Sequence, residues 1–373
     1  MNDAFILLDI EKLQSLKKSY QQKAPSAVQA VQALVQQADA ALSHPFYTVT
    51  AKQKTAPGGD PHDYSSLATY WWPNPETKDG LPYIRKDGYV NPQGRDDTLF
   101  DRNKLDCFAK DLSLFSTAYF YTDDQRYFDR ASALMDTWFF NPDTYMRPHL
   151  QYAQCIPGVC DGRDIGIIDT YYFTELIDSA ILLGYEKLDD LRQWMETYLN
   201  WLLTSENGKG EERQKNNHGL WYDAQVISLA SFCGKTEIIR QRFERTCQRL
   251  DKQIEKDGSL PEELARTRSL SYTFFALFAM VACAQVYDKY GLDLWNYTNE
   301  KGTGIKTCFD FLMPYMTKQR QWQWQQIDPL DKKAPCICFA CFSRQHPDRS
   351  YDQCAAAFAA QDELCKLRYP IGS

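Results

Sequence analysis

The chain has 373 residues and a formal net charge of −7, and 44% of its residues are hydrophobic. That share supplies a large core and excludes a disordered chain, while the acidic balance excludes a surface built to grip nucleic acid. An acidic protein can still bind an anionic polymer if positively charged side chains line one cleft, because the local electrostatic potential there matters more than the net charge. The aromatic share of 14% hints at carbohydrate, since aromatic rings stack on the apolar faces of sugars as well as filling cores.

No apolar run reaches the roughly 18 residues that a membrane-spanning helix requires, so no membrane insertion is expected. The first residues, Met1 to Asp9, lack the basic head and the long apolar stretch of a signal peptide. Two locations therefore stay open. The protein is periplasmic or secreted if a signal peptide has been removed, and otherwise cytoplasmic.

The twelve cysteines do not form a pattern typical of a disulfide framework or a metal site. Cys155 and Cys160 flank a Pro-Gly loop and could pair, but unpaired thiols are the favoured interpretation. The cluster from Cys336 to His346 fits zinc poorly, because structural zinc sites use paired hooks of ligands. No metal and no cofactor are expected.

Helical periodicity dominates the chain. From Ala24 to Leu42, apolar residues recur at spacings of three and four, which predicts an amphipathic helix. Similar runs predict nine more helices, at 104–121, 125–140, 169–184, 187–204, 219–233, 236–254, 269–290, 303–317 and 350–366. Short connections such as Thr122–Asp124 and Cys233–Lys235 join neighbours into pairs. Paired helices in series predict an all-α fold, an α/α toroid or incomplete α/α barrel of helical hairpins, with a plain helical bundle as the alternative.

Two long segments carry turn signals instead of helical periodicity. Residues 49–92 are rich in Pro, Gly, Asp and Tyr, and residues 141–168 contain several X-Pro and Gly turns. A long loop in a compact domain is uncommon unless it is functional, so residues 49–92 are predicted to form a lid over a cleft. Nothing resembles a linker, and one catalytic domain is predicted over residues 1–373.

The segment from Asn216 to Gln225 concentrates polar groups at a predicted helix start. His218, Tyr222 and Gln225 are spaced i, i+4 and i+7, which places them near one face of the helix. Asn216, Asn217 and His218 lie where backbone N–H groups point outward, an arrangement suited to binding a carboxylate. The alternative is that an asparagine caps the helix and His218 has a structural role.

A second cluster places Arg266 and Arg268 before Tyr272, at the head of an apolar helix. Arg268 and Tyr272 are i, i+4 partners if both are helical. Arg266 would reach the same site only from the preceding loop, because six residues carry it to another side of a helix. A cation beside a tyrosine favours the phenolate. The alternative is a pair of exposed arginines and a core tyrosine.

Several separated motifs resemble the bacterial alginate lyase superfamily, and they occur in the expected order over residues 50 to 330. The motifs are Thr55–Tyr64, Tyr70–Pro75, Gly80–Gly88, Tyr152–Gln154, Gly162–Arg163 with Gly166–Asp169, and Asn216–Gly219. The chain is most similar to the branch of alginate and glucuronan lyases that carries an Asn-Asn-His-Gly motif. In the mannuronate lyases the arginine precedes the tyrosine by seven residues, whereas Arg266 precedes Tyr272 by six, which leaves Arg266 and Arg268 both open.

The resemblance implies cleavage of a 4-linked uronate polymer by β-elimination, with alginate as the favoured substrate and glucuronan as the alternative. It implies that Asn217, His218 and Arg266 neutralise the substrate carboxylate and that Tyr272 protonates the leaving group. His218 would act as the base where the eliminated groups lie on opposite sides of the sugar. The predicted substrate-binding residues are His62, Tyr64, Trp71, Arg163, Asn216, Tyr222, Gln225 and Arg268.

Two other functions stay open. A glycoside hydrolase on the same fold would need two carboxylates flanking the cleft, for which Asp161, Asp164 and Asp223 are the available acids. A non-catalytic polysaccharide-binding protein would need only cations and aromatic rings. Trp322 and Trp324 alternate with glutamines and could form a stacking platform, although packing is the favoured role for them.

Overall fold

The structure is a computed structural model that describes residues 5–371. It is about 58% helical. The helices are α1 (Ile10–Gln21), α2 (Pro25–Ala41), α3 (Arg102–Thr122), α4 (Gln125–Phe139), α5 (Phe173–Leu183), α6 (Leu188–Thr204), α7 (Glu206–Glu212), α8 (Asn217–Phe232), α9 (Thr236–Gln253), α10 (Pro261–Leu264), α11 (Ser269–Asp288), α12 (Ile305–Met316), α13 (Lys333–Gln345), α14 (Arg349–Ala359) and α15 (Glu363–Arg368). The strands are β1 (Ser65–Leu67), β2 (Trp71–Trp72), β3 (Ile84–Arg85) and β4 (Tyr152–Cys155).

Eight of the ten predicted helices are confirmed, with ends that differ by at most two residues. The helix predicted at 169–184 begins later, because Asp164–Thr170 winds as a 3-10 helix before α5. The helix predicted at 350–366 is two helices, since the side chain of Asp362 accepts a hydrogen bond from the Cys365 amide and caps a new start. Helices α1, α7, α10 and α13 were not predicted. Of these, α7 and α10 have only seven and four residues, too few to display a helical period.

The described residues divide into two compact units. The first comprises residues up to 37, residues 120–122 and residues from 214 onward, and the second comprises 38–119 and 123–213. The single catalytic domain stays a prediction, and each unit is described by itself.

Aromatic rings fill the core of the second unit. Phe108 on α3 stacks on Trp138 of α4, with ring centroids 4.9 Å apart. Phe139 on α4 meets Trp194 of α6 edge to face at 4.8 Å, and Phe173 on α5 lies 5.9 Å from the same tryptophan. The three interlocked pairs tie four helices together. Much of the high aromatic content therefore serves packing and not carbohydrate.

The predicted lid segment, residues 49–92, belongs to the second unit and contains three of the four short strands. β1 pairs in parallel with β4, placing Ser65 opposite Tyr152, and β2 pairs with β3 in antiparallel orientation. The segment is thus anchored to the second unit by backbone pairing, and its action as a lid stays a prediction.

A buried carboxylate, Asp169, joins the strands of the second unit to α3. It accepts hydrogen bonds from the hydroxyls of Tyr64 at 3.0 Å and Ser66 at 2.6 Å and from the amide of Gln154 at 3.0 Å. It also forms an ion pair with Arg102. Because the carboxylate is completely buried, these donors replace the water that would otherwise solvate it.

In the first unit, α11 forms the centre and packs against α8 and α13. By length and composition α11 is apolar enough to cross a membrane, which the search for uninterrupted apolar runs did not anticipate. However, 72% of its most apolar window is buried inside the structure. This burial is typical of the core helix of a globular unit, and it explains why the helix is apolar on every side.

None of the twelve cysteines, which all lie within the described residues, forms a disulfide. Cys336, Cys338 and Cys341 are fully buried on α13 among apolar side chains, where they act as small hydrophobic residues. Within residues 5–371, no group of three or more His, Cys, Asp or Glu side chains is placed to hold a metal ion.

We expect Asp169→Asn to lower the free energy of unfolding by about 3–5 kcal/mol, the cost of removing one partner from a buried ion pair. The amide keeps the shape but loses the charge that faces Arg102, and its NH2 group would point at donors. Urea denaturation measures the change. Asp129→Asn, a change at an exposed carboxylate on α4, is the matched control and should stay within about 0.5 kcal/mol. Equal effects of the two changes would contradict the role given to Asp169.

Candidate active site

The N-terminus of α8 is built by the Asn-Asn-His-Gly motif. Asn216 is the N-cap, and its side-chain oxygen accepts a hydrogen bond from the His218 amide at 3.2 Å. The capping interpretation is therefore confirmed for Asn216, whose side chain was also predicted to bind substrate. Asn217 is the first helical residue and is 1% exposed, whereas His218 is half-buried.

The glycine of the motif is required by an arginine that crosses it. A Cβ at Gly219 would lie 2.1 Å from Nη1 of Arg249 on α9, far inside contact distance. Arg249 uses Nη1 to donate to the Gln214 carbonyl at 2.6 Å and Nε to donate to Asp223 at 2.8 Å. Gln253, one turn further along α9, donates to the Asn216 carbonyl at 3.2 Å. The motif is thus held in place from α9.

Glu263, on α10, contacts the motif from the other side and was not singled out in the sequence. Its Oε1 accepts a hydrogen bond from the Asn217 backbone N–H at 2.7 Å, and its Oε2 accepts one from Nδ2 of the same residue at 2.8 Å. Glu263 is 2% exposed. The two bonds fix the Asn217 amide, with Nδ2 facing Glu263 and Oδ1 buried without a hydrogen-bond partner in the described part of the chain.

The residues around Glu263 come from both of the clusters predicted from the sequence. Burial raises the pKa of the Glu263 carboxyl, while the N–H groups of Asn217 and the charges of Arg266 and His218 act in the opposite direction. Glu263 therefore lies within electrostatic reach of the Arg266 guanidinium and of the His218 imidazole. Asn217 and His218 on α8 and Arg266 on the loop after α10 surround one carboxylate, although about 50 residues separate them in sequence.

Arg266, and not Arg268, contacts the hydroxyl of Tyr272. Its Nη2 donates a hydrogen bond to the Tyr272 oxygen at 2.9 Å, and its guanidinium carbon lies 3.9 Å from the ring centroid. Arg268 is the N-cap of α11 and forms an ion pair with Asp328. The predicted i, i+4 contact between Arg268 and Tyr272 required both residues to be helical. Arg268 instead lies outside the helix as its capping residue, and its side chain is directed to Asp328.

Several predicted substrate contacts are buried instead. Tyr222 and Gln225 are each 1% exposed on α8, and the guanidinium of Arg242 lies 5.3 Å from the Tyr222 ring. Tyr64, in the second unit, is completely buried with its hydroxyl on Asp169. All three side chains are almost completely buried in this structure, and their role in substrate binding stays a prediction.

The other second-unit candidates are half-buried. The His62 ring stacks on Tyr145 at 4.2 Å, and its Nδ1 lies 2.6 Å from the Tyr145 carbonyl oxygen. Trp71 lies on β2 with its carbonyl bound to the Asn91 side chain. Their roles in substrate binding stay predictions.

Arg163 is held by the same network that contains Asp169. Its Nη2 donates to Oε1 of Gln154 at 2.7 Å, and Nε2 of Gln154 donates to Asp169. Burial lowers the pKa of the Arg163 guanidinium. Gln154, the last residue of the Tyr152–Gln154 motif, is thus the residue that orients Arg163.

Of the three carboxylates named for a glycoside hydrolase, Asp223 does not fit that role. Asp223, on α8, is completely buried and accepts a hydrogen bond from Arg249 at 2.8 Å. A general acid or nucleophile must reach the sugar, and an enclosed, ion-paired carboxylate cannot.

Comparison with known proteins identifies the family. The alginate lyase family model matches residues 48–322, which is most of the chain, and the chain belongs to this family. An alginate lyase from Bacteroides ovatus is 36% identical, with a TM-score of 0.91 over 99% of both chains. No curated protein sequence matches the chain. The chain is therefore a polysaccharide lyase, and the predicted α/α toroid fold of these enzymes is confirmed.

A more distant likeness shows the same fold. Alginate lyase A1-III from Sphingomonas species A1, in a Tyr-to-Phe variant complexed with a tetrasaccharide, is 13% identical and has a TM-score of 0.55. The match covers 92% of this chain and 94% of that one. A His-to-Ala variant of the same enzyme, also complexed with a tetrasaccharide, has a TM-score of 0.51.

We expect Glu263→Gln to lower lyase activity about 10- to 100-fold, the scale of losing a hydrogen bond to a charged acceptor. The glutamine NH2 group would face an N–H of Asn217, so the amide of Asn217 loses its fixed orientation. Formation of the unsaturated product, followed by ultraviolet absorbance, measures the change. Glu262→Gln, at the exposed neighbouring position, is the control and should leave activity near that of the wild type.

A matched pair of variants distinguishes the roles of Arg266 and Arg268 in catalysis. We expect Arg266→Lys to lower the turnover number by about tenfold or more, because lysine cannot both cover the Tyr272 ring and donate to its hydroxyl. Arg268→Lys keeps the charge opposite Asp328 and should change the turnover number less than about threefold. Steady-state kinetics at saturating polymer decides the matter. The reverse order of effects would assign the catalytic role to Arg268.

Proposed function

We propose that this member of the alginate lyase family cleaves alginate, by β-elimination at a 4-linked uronate, with Tyr272 as the group that protonates the leaving oxygen. The observation that carries the proposal is the contact of Arg266 with the Tyr272 hydroxyl beside the Asn217–Glu263 pair. A cation, a tyrosine and a fixed amide within one site are the groups that this reaction requires.

The carboxylate of the substrate sets the energetic problem. The C5 proton is weakly acidic while the neighbouring carboxylate carries a full negative charge, since removing the proton adds a second charge to the same group. Donors that are already oriented lower the cost of the enolate-like transition state more than mobile ones, particularly away from water. Asn217 has one further Nδ2 hydrogen beyond the one given to Glu263, and the Arg266 guanidinium supplies positive charge near the same carboxylate.

The proton transfers follow from what Tyr272 and His218 can each do. The base takes the C5 proton, the electron pair forms the C4–C5 double bond, and the C4–O4 bond breaks with its electrons on oxygen. An acid then protonates O4. The Arg266 guanidinium favours the phenolate of Tyr272, which therefore serves as base and, once protonated, as acid. This single-residue route requires the C5 hydrogen and O4 on the same side of the sugar.

Stereochemistry then separates the polymers. Mannuronate and glucuronate have the two groups on the same side and suit Tyr272 alone. Guluronate has them on opposite sides, so that His218 would be the base and Tyr272 the acid. Alginate contains both mannuronate and guluronate, and the 36% identity with the Bacteroides ovatus alginate lyase over 99% of both chains favours alginate over glucuronan.

We expect Tyr272→Phe to stay folded, because the ring and its contact with Arg266 remain, and to lose activity by about 10²–10⁴-fold, the contribution of a general acid or base. The wild type and the variant are assayed on polymannuronate, polyguluronate and glucuronan by the ultraviolet absorbance of the C4–C5 double bond. The wild type should be most active on an alginate block.

The same assay tests the proposal as a whole. New reducing ends without ultraviolet absorbance would indicate a hydrolase. Faster cleavage of glucuronan than of both alginate blocks would show that glucuronan, and not alginate, is the preferred substrate. A Tyr272→Phe variant that is folded and almost fully active would remove tyrosine from the mechanism. His218→Ala is the companion variant, with its larger loss expected on polyguluronate.

A further inference from the structure

Four aromatic rings in the first unit form a cluster that the proposed chemistry does not use. Phe311 and Tyr315 lie on α12, and Trp322 and Trp324 lie on the extended segment that follows it. The tryptophan rings are 4.8 Å apart, Tyr315 is 5.0 Å from Trp322, and Phe311 is 5.7 Å from Trp324. All four side chains are half-buried. We call these four residues the aromatic platform.

The sequence around the tryptophans is suited to a surface and not to a core. Trp322 and Trp324 alternate with Gln321, Gln323 and Gln325, which are all exposed. In an extended segment, alternate side chains point to opposite sides, so both tryptophans lie on the side that carries α12 and the glutamines lie on the other. Rings that served only the core would be buried, as Phe108, Trp138, Phe139, Phe173 and Trp194 are in the second unit.

The platform is fixed in position relative to the catalytic tyrosine. The Trp322 indole N–H donates to Oγ of Ser269 at 2.8 Å, and Oγ of Ser269 donates to the Gln325 carbonyl at 2.7 Å. Ser269 is the first residue of α11, and Tyr272 follows it on the same helix after three residues, about one turn away.

A second set of hydrogen bonds joins the end of the segment that carries the tryptophans to the start of α11. Oε1 of Gln326 accepts from the amides of Leu270 at 3.0 Å and Ser271 at 3.3 Å, and the Ile327 amide donates to the Thr267 carbonyl at 3.1 Å. The segment that carries the platform is therefore bonded to the residues on both sides of Arg268, directly beside the catalytic cluster.

The charge of this region is positive, although the chain as a whole is acidic. Between Asp310 and Asp328 there is no acidic residue, and the turn between Tyr315 and Trp322 carries Lys318 and Arg320. Both cations are exposed. Exposed cations beside partly exposed rings match a ligand that has an apolar face and an anionic substituent on every unit, which is the chemistry of a uronate polymer.

We propose that the aromatic platform is a binding subsite for a uronate unit of the polymer that lies outside the bond being cleaved, an inference that rests on the proposed function. The rings contact the C–H face of the sugar, and Lys318 and Arg320 pair with its carboxylate. Because this contact is the same before and in the transition state, it contributes to polymer affinity and not to the rate at saturation.

Binding and cleavage are measured separately to test the subsite. In a Tyr272→Phe background, the dissociation constant of polymannuronate is determined by isothermal titration calorimetry. We expect Trp324→Ala to raise it about tenfold through loss of the stacked ring, and Trp324→Phe to restore most of the affinity. With Tyr272 intact, Trp324→Ala should raise KM similarly and change kcat less than about twofold.

A charge variant provides an independent measurement should Trp324→Ala fail to fold. Lys318→Gln with Arg320→Gln removes two exposed cations, and should weaken binding at low salt by about tenfold and have little effect at high salt. Lys252→Gln with Lys301→Gln, also at exposed positions, is the control with the same net charge. Equal behaviour of the two double variants, or unchanged affinity in folded Trp324→Ala, overturns the platform. Tight binding of polymannuronate without any unsaturated product would instead overturn the proposed function and leave the subsite standing.

Discussion

The bidentate contact between Asn217 and Glu263 is the constraint on which the candidate site depends. It joins the N-terminus of α8 to α10, just before the loop that carries Arg266, with bonds of 2.7 and 2.8 Å in a nearly inaccessible place. A carboxylate is costly to bury, and its cost is met here by two N–H donors and by neighbouring positive charge. If this bond were absent, neither the direction of the Asn217 amide nor the distance between the two motifs would be set.

The way the site is held also explains the motif residue by residue. Asn216 caps the helix, Asn217 binds Glu263, and Gly219 leaves room for Arg249 to reach the Gln214 carbonyl. His218, the remaining residue of the motif, is half-buried. Three of the four residues of this short segment therefore fix the backbone or make room for a neighbouring side chain.

The sequence predicted the architecture well and the site in part, for reasons that differ between helices. Amphipathic helices such as α2 and α9 have a visible stripe, so periodicity finds them. In α8, 14 of 16 residues are buried, so no face is solvent-exposed and the spacing of His218, Tyr222 and Gln225 says nothing about a shared cleft. Glu263 was missed because it lies 46 residues from Asn217, and spacing within one helix carries no information on such a contact.

The choice between Arg266 and Arg268 shows the same limit at close range. Helical spacing favours Arg268, but the bridge between Arg268 and Gln326 holds that residue outside the helix, where it pairs with Asp328. Arg266 lies on the loop before α11, and its guanidinium donates a hydrogen bond to the Tyr272 hydroxyl. The partner that decides the matter lies nearly sixty residues downstream, so only the tertiary structure contains the answer.

A buried carboxylate beside a site that receives carboxylates has a physical consequence for catalysis. The Arg266 guanidinium alone would attract the ground-state substrate strongly, and attraction that is equal in the ground and transition states does not accelerate the chemical step. Glu263 offsets part of that positive charge while holding the Asn217 amide in a fixed direction. The site then combines donors of fixed direction with a positive charge that is partly offset. Such donors act most strongly on the additional charge that develops when the C5 proton leaves, which is the condition for a faster elimination and not merely a tighter complex.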